Sequence, residues 1–241
     1  MKPTTEAEPS RSYSPRQIAS AAGDIPGALK FLRAMDPASP AYGVSAAYAA
    51  ELEMRSGNLD RAETLTVAAE AAGHSPAYRM LRGLVVMERG DARAGLDIFE
   101  EVRAALPRLN VNLSNIAAAK FLLHDYAGAI GAIQESVMAT PLTKAQRDQA
   151  KTSFANLRKE LDAVKTPRDA AAVVEKIANA LGLALVTAQD KEAQAAVREG
   201  LRGVLRVLQQ FYFESEMWKE SAGAAERFLK ITKTGAMLVR L

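Results

Sequence analysis

The chain of 241 residues contains no cysteine. Disulfides, thiol nucleophiles and cysteine-based metal sites are therefore excluded. Histidine is almost as scarce. His74 and His124 stand 50 residues apart, neither with a carboxylate or second imidazole at ligand spacing, so neither is expected to bind metal or act in catalysis. The sequence carries no GxxxxGKS/T loop, no GxGxxG after a strand, no GxSxG and no HExxH. These absences point away from an enzyme and from any cofactor. No apolar run reaches the roughly 18 residues needed to span a bilayer. The opening stretch, MKPTTEAEPSRSYSPRQ, lacks the hydrophobic segment of a secretory leader, so a cytoplasmic protein is expected.

Charge of one sign is also missing. The 31 basic and 28 acidic residues leave a net charge of only +3. The richest basic stretch, from Arg79 through Arg82, Arg89, Arg93 and Arg103 to Arg108, is interrupted by Glu88, Glu100 and Glu101. That mixture reads as a solvated helical surface and argues against a nucleic-acid partner, which calls for clustered basic and aromatic residues. Aromatics make up only 6% of a sequence that is 49% hydrophobic, and alanine takes much of the remainder. Alanine combines the best helix propensity with a side chain small enough for helix axes to approach closely. No segment alternates as a strand would, so the fold is expected to be all-α.

What the sequence does have is a period. Gly23-Asp24, Gly57-Asn58, Gly90-Asp91 and His124-Asp125 are spaced by 34, 33 and 34 residues. Five residues after each glycine, or after His124, comes a small residue: Ala28, Ala62, Gly95 and Ala129. Four further on comes a larger or branched one: Leu32, Thr66, Phe99 and Ile133. Pro76, Pro107 and Pro141 close three of the units. The glycine ends one helix, and the Asp or Asn after it caps the next. The small residue admits close approach and the bulky one fills the gap a turn later. Proline is tolerated at the start of the following helix, where its missing N–H is no loss. One such helix pair cannot bury its apolar face alone, so pairs must stack.

These units resemble tetratricopeptide repeats. The best match is LRGLVVMERGDARAGLDIFEEVRAALP, with Gly83, Gly90, Asp91, Gly95, Phe99 and Pro107. It is followed by LSNIAAAKFLLHDYAGAIGAIQESVMATP, with Ala117, Tyr126, Ala129 and Pro141. It is preceded by AAELEMRSGNLDRAETL, with Ala50, Gly57, Leu59 and Ala62. The resemblance implies a right-handed superhelix of antiparallel helix pairs, completed by a C-terminal helical bundle of degenerate repeats.

Along the chain the expected organisation is a disordered tail over residues 1–14, repeats over 15–141, a helical bundle over 142–232 and a tail over 233–241. The expected pairs are 43–56 with 59–72, 77–89 with 92–105 and 110–123 with 126–139. Beyond Pro141 the rhythm changes to longer helices at 143–165, 168–187 and 190–214. In EMWKESAGAAERFLKI a second repeat helix returns, with Trp218 at the aromatic place and Ser221 at the small one.

In the family the first helix of each pair lines the concave groove. That register assigns Tyr48, Glu51 and Met54 from the first full repeat, Met80, Leu84 and Met87 from the second, and Val111, Ser114, Asn115, Ala118 and Phe121 from the third. Asn115 matches an asparagine with which relatives that bind a C-terminal carboxylate hold the peptide backbone. Met80 and Leu84 stand where that clamp needs lysine and asparagine, so an acidic chaperone tail is not the expected ligand. The groove is instead apolar and rich in methionine, which adapts to varied apolar partners. The resemblance thus implies a non-enzymatic bacterial adaptor or chaperone that holds an amphipathic helix or apolar peptide of a protein partner. Exchanging Met87 and Phe121 for Glu is expected to abolish capture without unfolding. The alternative is that these side chains are core, or are covered by the C-terminal helices.

A second reading is a regulator. The repeats would sense a ligand, and the C-terminal bundle, with Arg198, Arg202 and Arg206 on one helix face, would bind a second protein or nucleic acid. The cluster of Phe211, Tyr212, Phe213 and Trp218 is either internal packing or a surface for a homodimer.

Overall fold

The structure, a computed structural model, describes residues 26, 29, 30, 32, 34–140, 142–161, 163–188 and 190–238, without the side chains of 158, 159 and 233–238. The expected 1–14 tail, the punctuation at Gly23-Asp24, Ala28 and Pro141 lie outside the described residues. The described residues contain helices and no strand. Ten helices are α1 (Tyr42–Arg55), α2 (Leu59–Ala72), α3 (Pro76–Glu88), α4 (Ala92–Ala105), α5 (Asn110–Leu122), α6 (Tyr126–Ala139), α7 (Lys144–Leu161), α8 (Pro167–Thr187), α9 (Lys191–Glu214) and α10 (Trp218–Leu238). The last helix runs past residue 233, where the sequence suggests a tail.

The chain forms two compact units, Met1–Val85 and Val86–Leu241. The division falls inside α3. In the first unit α1 and α2 form an antiparallel pair. Ala49 and Leu52 of α1 join Leu29 and Leu32 in a buried cluster, with Tyr48 and Leu65 packed against it. Ala62 and Thr66, the small and bulky places of α2, are both fully buried. The Arg82 guanidinium reaches Glu70 at 3.3 Å and ties α3 to α2.

In the second unit the same punctuation recurs, and the backbone shows why. A helix ends well when a residue in the left-handed region lets two N–H groups turn back to the last carbonyls. Gly57, Gly90 and His124 have φ of 78°, 94° and 61°. Behind them the N–H of Asn58 donates to Glu53, that of Asp91 to Val86 and that of Asp125 to Lys120. The Asp91 and Asp125 carboxylates then accept from Ala94 and Gly128, both at 2.9 Å, and start α4 and α6. A fourth copy of this turn joins α9 to α10. Glu216 has φ of 56°, and the N–H of Met217 donates to Tyr212 at 2.8 Å. Five residues beyond Glu216 lies Ser221, buried like Gly95 and Ala129, its hydroxyl donating to the Gln209 carbonyl. The α9–α10 pair is therefore built as a repeat.

That pair does not follow α6 directly. Helices α7 and α8 intervene, and α9 packs against α5, α6, α8 and α10. It runs parallel to α5, since Gly203 meets Ser114 and, two turns on, Phe211 stacks on Phe121. Gly203 makes the first approach possible, because a Cβ there would lie 2.9 Å from the Ser114 hydroxyl oxygen. Fully burying a side chain such as Phe211 or Phe99 contributes about 1.5–3 kcal/mol. Helix α8 opens on a reciprocal cap between Thr166 and Asp169 with Pro167 in its first turn. By length and composition it is long and apolar enough to cross a membrane, although Glu175 and Lys176 interrupt its apolar run. Here Val173, Val174, Ile177 and Leu181 are buried against the other helices of the unit.

Candidate functional site: an apolar cleft between α7 and α8

The residues assigned to the repeat groove have different fates. In the first unit Tyr48, Glu51, Met54, Met80 and Leu84 are half-buried. Tyr48 rests on the Leu29–Leu32 cluster, and Glu51 pairs with Arg55 one turn along α1. In the second unit Met87 is buried, as are Ser114, Asn115, Ala118 and Phe121, whereas Val111 is half-buried. Phe121 is only 2% exposed, because the ring of Phe211 lies on it. The expectation that Met87 and Phe121 could be changed to Glu without unfolding is corrected by this burial. A carboxylate at either place would lose its water without gaining a partner. Of the two alternatives in the sequence reading, coverage by the chain's own C-terminal helices is the one seen on α5. The amide nitrogen of Asn115 is buried with no hydrogen-bond partner.

An open apolar surface lies elsewhere in the same unit. Helix α7 stands off from α6 and α8 and leaves a cleft of about 310 Å³. Phe154 and Leu157 of α7 face Ile177 and Leu181 of α8 across it, with Val197 of α9 and Val137 of α6 also in the lining. Gln146, Gln149 and Asn156 bring amides to the lining. The ammonium of Lys176 bridges to Glu160 at 2.6 Å, joining the two walls. On the flank of α8, Leu183 is 63% exposed, and Val186, on the face away from the cleft, is 84% exposed. In the sequence Phe154 and Leu157, and likewise Ile177 and Leu181, stand at ordinary helical spacing. Nothing in the spacing showed that α7 and α8 would stay apart.

Opposite the cleft, α8 is held by charge. The Glu175 carboxylate accepts the Tyr212 hydroxyl at 2.8 Å and an Arg227 N–H at 2.6 Å, and a second Arg227 N–H donates to Asn179. Burial, and then the hydrogen bond to Glu175, push the Tyr212 phenol well above its ordinary pKa. At the cap of α8, hydrogen bonds from Thr166 and Lys165 hold the Asp169 carboxyl below its usual value. These groups anchor helices and offer no reacting pair. Among the described residues no three His, Asp or Glu side chains gather as metal ligands. His124 sits in the turn after α5, with Nδ1 2.9 Å from the Tyr126 hydroxyl. Of the α9 arginines, Arg202 and Arg206 lie 5.8 and 5.9 Å from the Phe228 ring centre, and Arg198 is half-buried. The basic face is two exposed guanidiniums rather than three.

The fold has a known counterpart. A tetratricopeptide repeat protein from Parabacteroides merdae superposes with a TM-score of 0.51 over 90% of this chain and 91% of its own, at 12% identity. BtubC (BKLC) from P. vanneervenii aligns over 92% and 91% at 16% identity, with a TM-score of 0.39. No family model matches the sequence. No curated protein matches it either. The chain thus has an all-helical, tetratricopeptide-like fold.

Proposed function

We propose that this chain is a non-enzymatic interaction protein, an adaptor or chaperone, and that the α7–α8 cleft takes the apolar face of an amphipathic helix from a protein partner. The observation that carries this reading is the apolar lining of the cleft, with Phe154 and Leu157 on one wall and Ile177, Leu181 and Ala184 on the other. From Lys176 at the lip to Ala184, α8 offers a track of about 12 Å, a little over two helical turns. A small compact ligand would leave Leu183 in water, whereas a helix laid along α8 also covers this side chain, which stands two turns beyond Lys176 on the same lip. The Gln and Asn side chains can serve polar groups at the edge of such a helix. In the first unit, the half-buried Tyr48, Glu51, Met54, Met80 and Leu84 remain contact residues of the proposal.

The test uses a fluorescent amphipathic model peptide of Leu and Lys, with a scrambled peptide of the same composition as control. Ala180 lines the cleft and is exposed, so Ala180→Trp fills it without disturbing the core. The wild type is expected to bind the amphipathic peptide with a Kd near ~10 μM, and A180W about tenfold more weakly. Equal binding by both proteins, or equal binding of both peptides, would overturn the assignment of the cleft.

A further inference from the structure

Each second helix of a repeat has a face that the following helices must cover. The positions six, nine and thirteen residues after the turn residue mark that face. In α6 they are Ile130, Ile133 and Val137, none more than 1% exposed, beneath the helices that follow. In α4 the first two are Leu96 and Phe99, also buried, with α5 packed on that helix. In α10 the same positions are Ala222, Ala225 and Leu229. Ala222 is exposed, Ala225 is half-buried and Leu229 is 53% exposed. Trp218, one turn before Ala222, is 56% exposed, with the exposed ring of Phe213 against it at 4.9 Å. A repeat face that stands in water is expected to be polar. This one carries an apolar stripe at i, i+4, i+7 and i+11.

We infer that this stripe is the contact surface for a second copy of the chain, with the two α10 helices packed antiparallel about a two-fold axis. The stripe reads large, small, small, large, and it reads the same in reverse. Its midpoint falls between Ala222 and Ala225. An antiparallel copy therefore sets Trp218 against Leu229 and Ala222 against Ala225, and the alanines let the axes come close. Charge agrees with the same arrangement. Lys219 and Glu226 share one flank of the stripe, both are exposed, and neither is ion-paired with a described residue. A two-fold axis across antiparallel helices brings like flanks together. It sets Glu226 of each copy beside Lys219 of the other, twice. Three helical turns and two aromatic rings bury less than the roughly 800 Å² per partner of a standard interface, so the dimer is expected to be weak and reversible.

Sedimentation equilibrium of the full chain tests this, with circular dichroism as the check on folding. The wild type is expected to pass from monomer to dimer with concentration. Leu229→Glu, at an exposed site, is expected to stay monomeric and folded. Lys219→Glu and Glu226→Lys are each expected to weaken the dimer about fivefold, and the double exchange to restore it. A wild type that remains monomeric to roughly millimolar concentration would overturn the proposal. So would a dimer untouched by L229E, which would put the contact elsewhere. Single exchanges that weaken the dimer without rescue by the double exchange would rule out the antiparallel register. Peptide binding at the α7–α8 cleft is read separately, so either proposal can fail without the other.

Discussion

Phe121 and Phe211 stack nearly face to face, with ring centres 3.6 Å apart and planes inclined by 15°. Both are buried, and the pair locks α9 onto α5. Phe211→Ala removes a ring from a filled site and is expected to destabilise the second unit by about 3–5 kcal/mol. Phe211→Leu, which keeps most of the volume, should cost much less. Urea denaturation followed by helical dichroism measures both. A loss under ~1 kcal/mol for F211A would mean that α9 does not depend on this stack.

Glu216 holds a left-handed backbone that costs a residue with a Cβ about 1–2 kcal/mol. Glu216→Gly is therefore expected to stabilise the chain by about 0.5–1 kcal/mol, the flexibility of glycine in the unfolded state offsetting part of the gain. The effect of His124→Gly should be smaller, because that change also gives up the contact between His124 and the Tyr126 hydroxyl. Thermal melts of the two variants side by side decide the order.

The raised Tyr212 phenol makes a prediction about alkaline pH. The fold favours the neutral hydroxyl, so this contribution is complete below the ordinary value of 10.0 and is lost as pH climbs through the higher folded value. Tyr212→Phe is expected to be less stable than wild type at neutral pH by about 1–2 kcal/mol, for the lost hydrogen bond to a carboxylate. The gap should narrow as pH rises above 10.0, because the phenol of the unfolded wild type then ionises while the folded one stays protonated. Urea midpoints measured across that range would contradict the account if the gap stayed constant.

The helix pairs were legible because their punctuation is chemical. Gly57, Gly90, Asp91 and Asp125 are residues that turns and caps select, and Ala62 and Ala129 mark close approach. The α9–α10 turn was harder to read, because Glu216 and Met217 stand where glycine and aspartate would, although Trp218 and Ser221 identified the helix after them. The groove was misplaced on α5 for a different reason. Repeat register tells which face of Phe121 and Ser114 points toward the next pair, but only the tertiary fold tells whether α9 fills that space. The cleft between α7 and α8 left no signature at all. Phe154, Leu157, Ile177 and Leu181 have the spacing of any packed helix, and a gap between two helices is not written in either one.

The separation of α5 from α9 also has a consequence in time. In a simple repeat array each pair can dock on its neighbour as soon as it is made. Here the residue that covers Phe121 comes 90 positions later. At ribosomal rates of about 5–20 residues per second, a nascent chain carries the apolar side of α5 without its cover for at least several seconds. Closing so long a loop also slows refolding of the finished protein. The second unit must thus be completed almost to its end before its centre can dry, and the interval leaves that centre open to aggregation or to a chaperone.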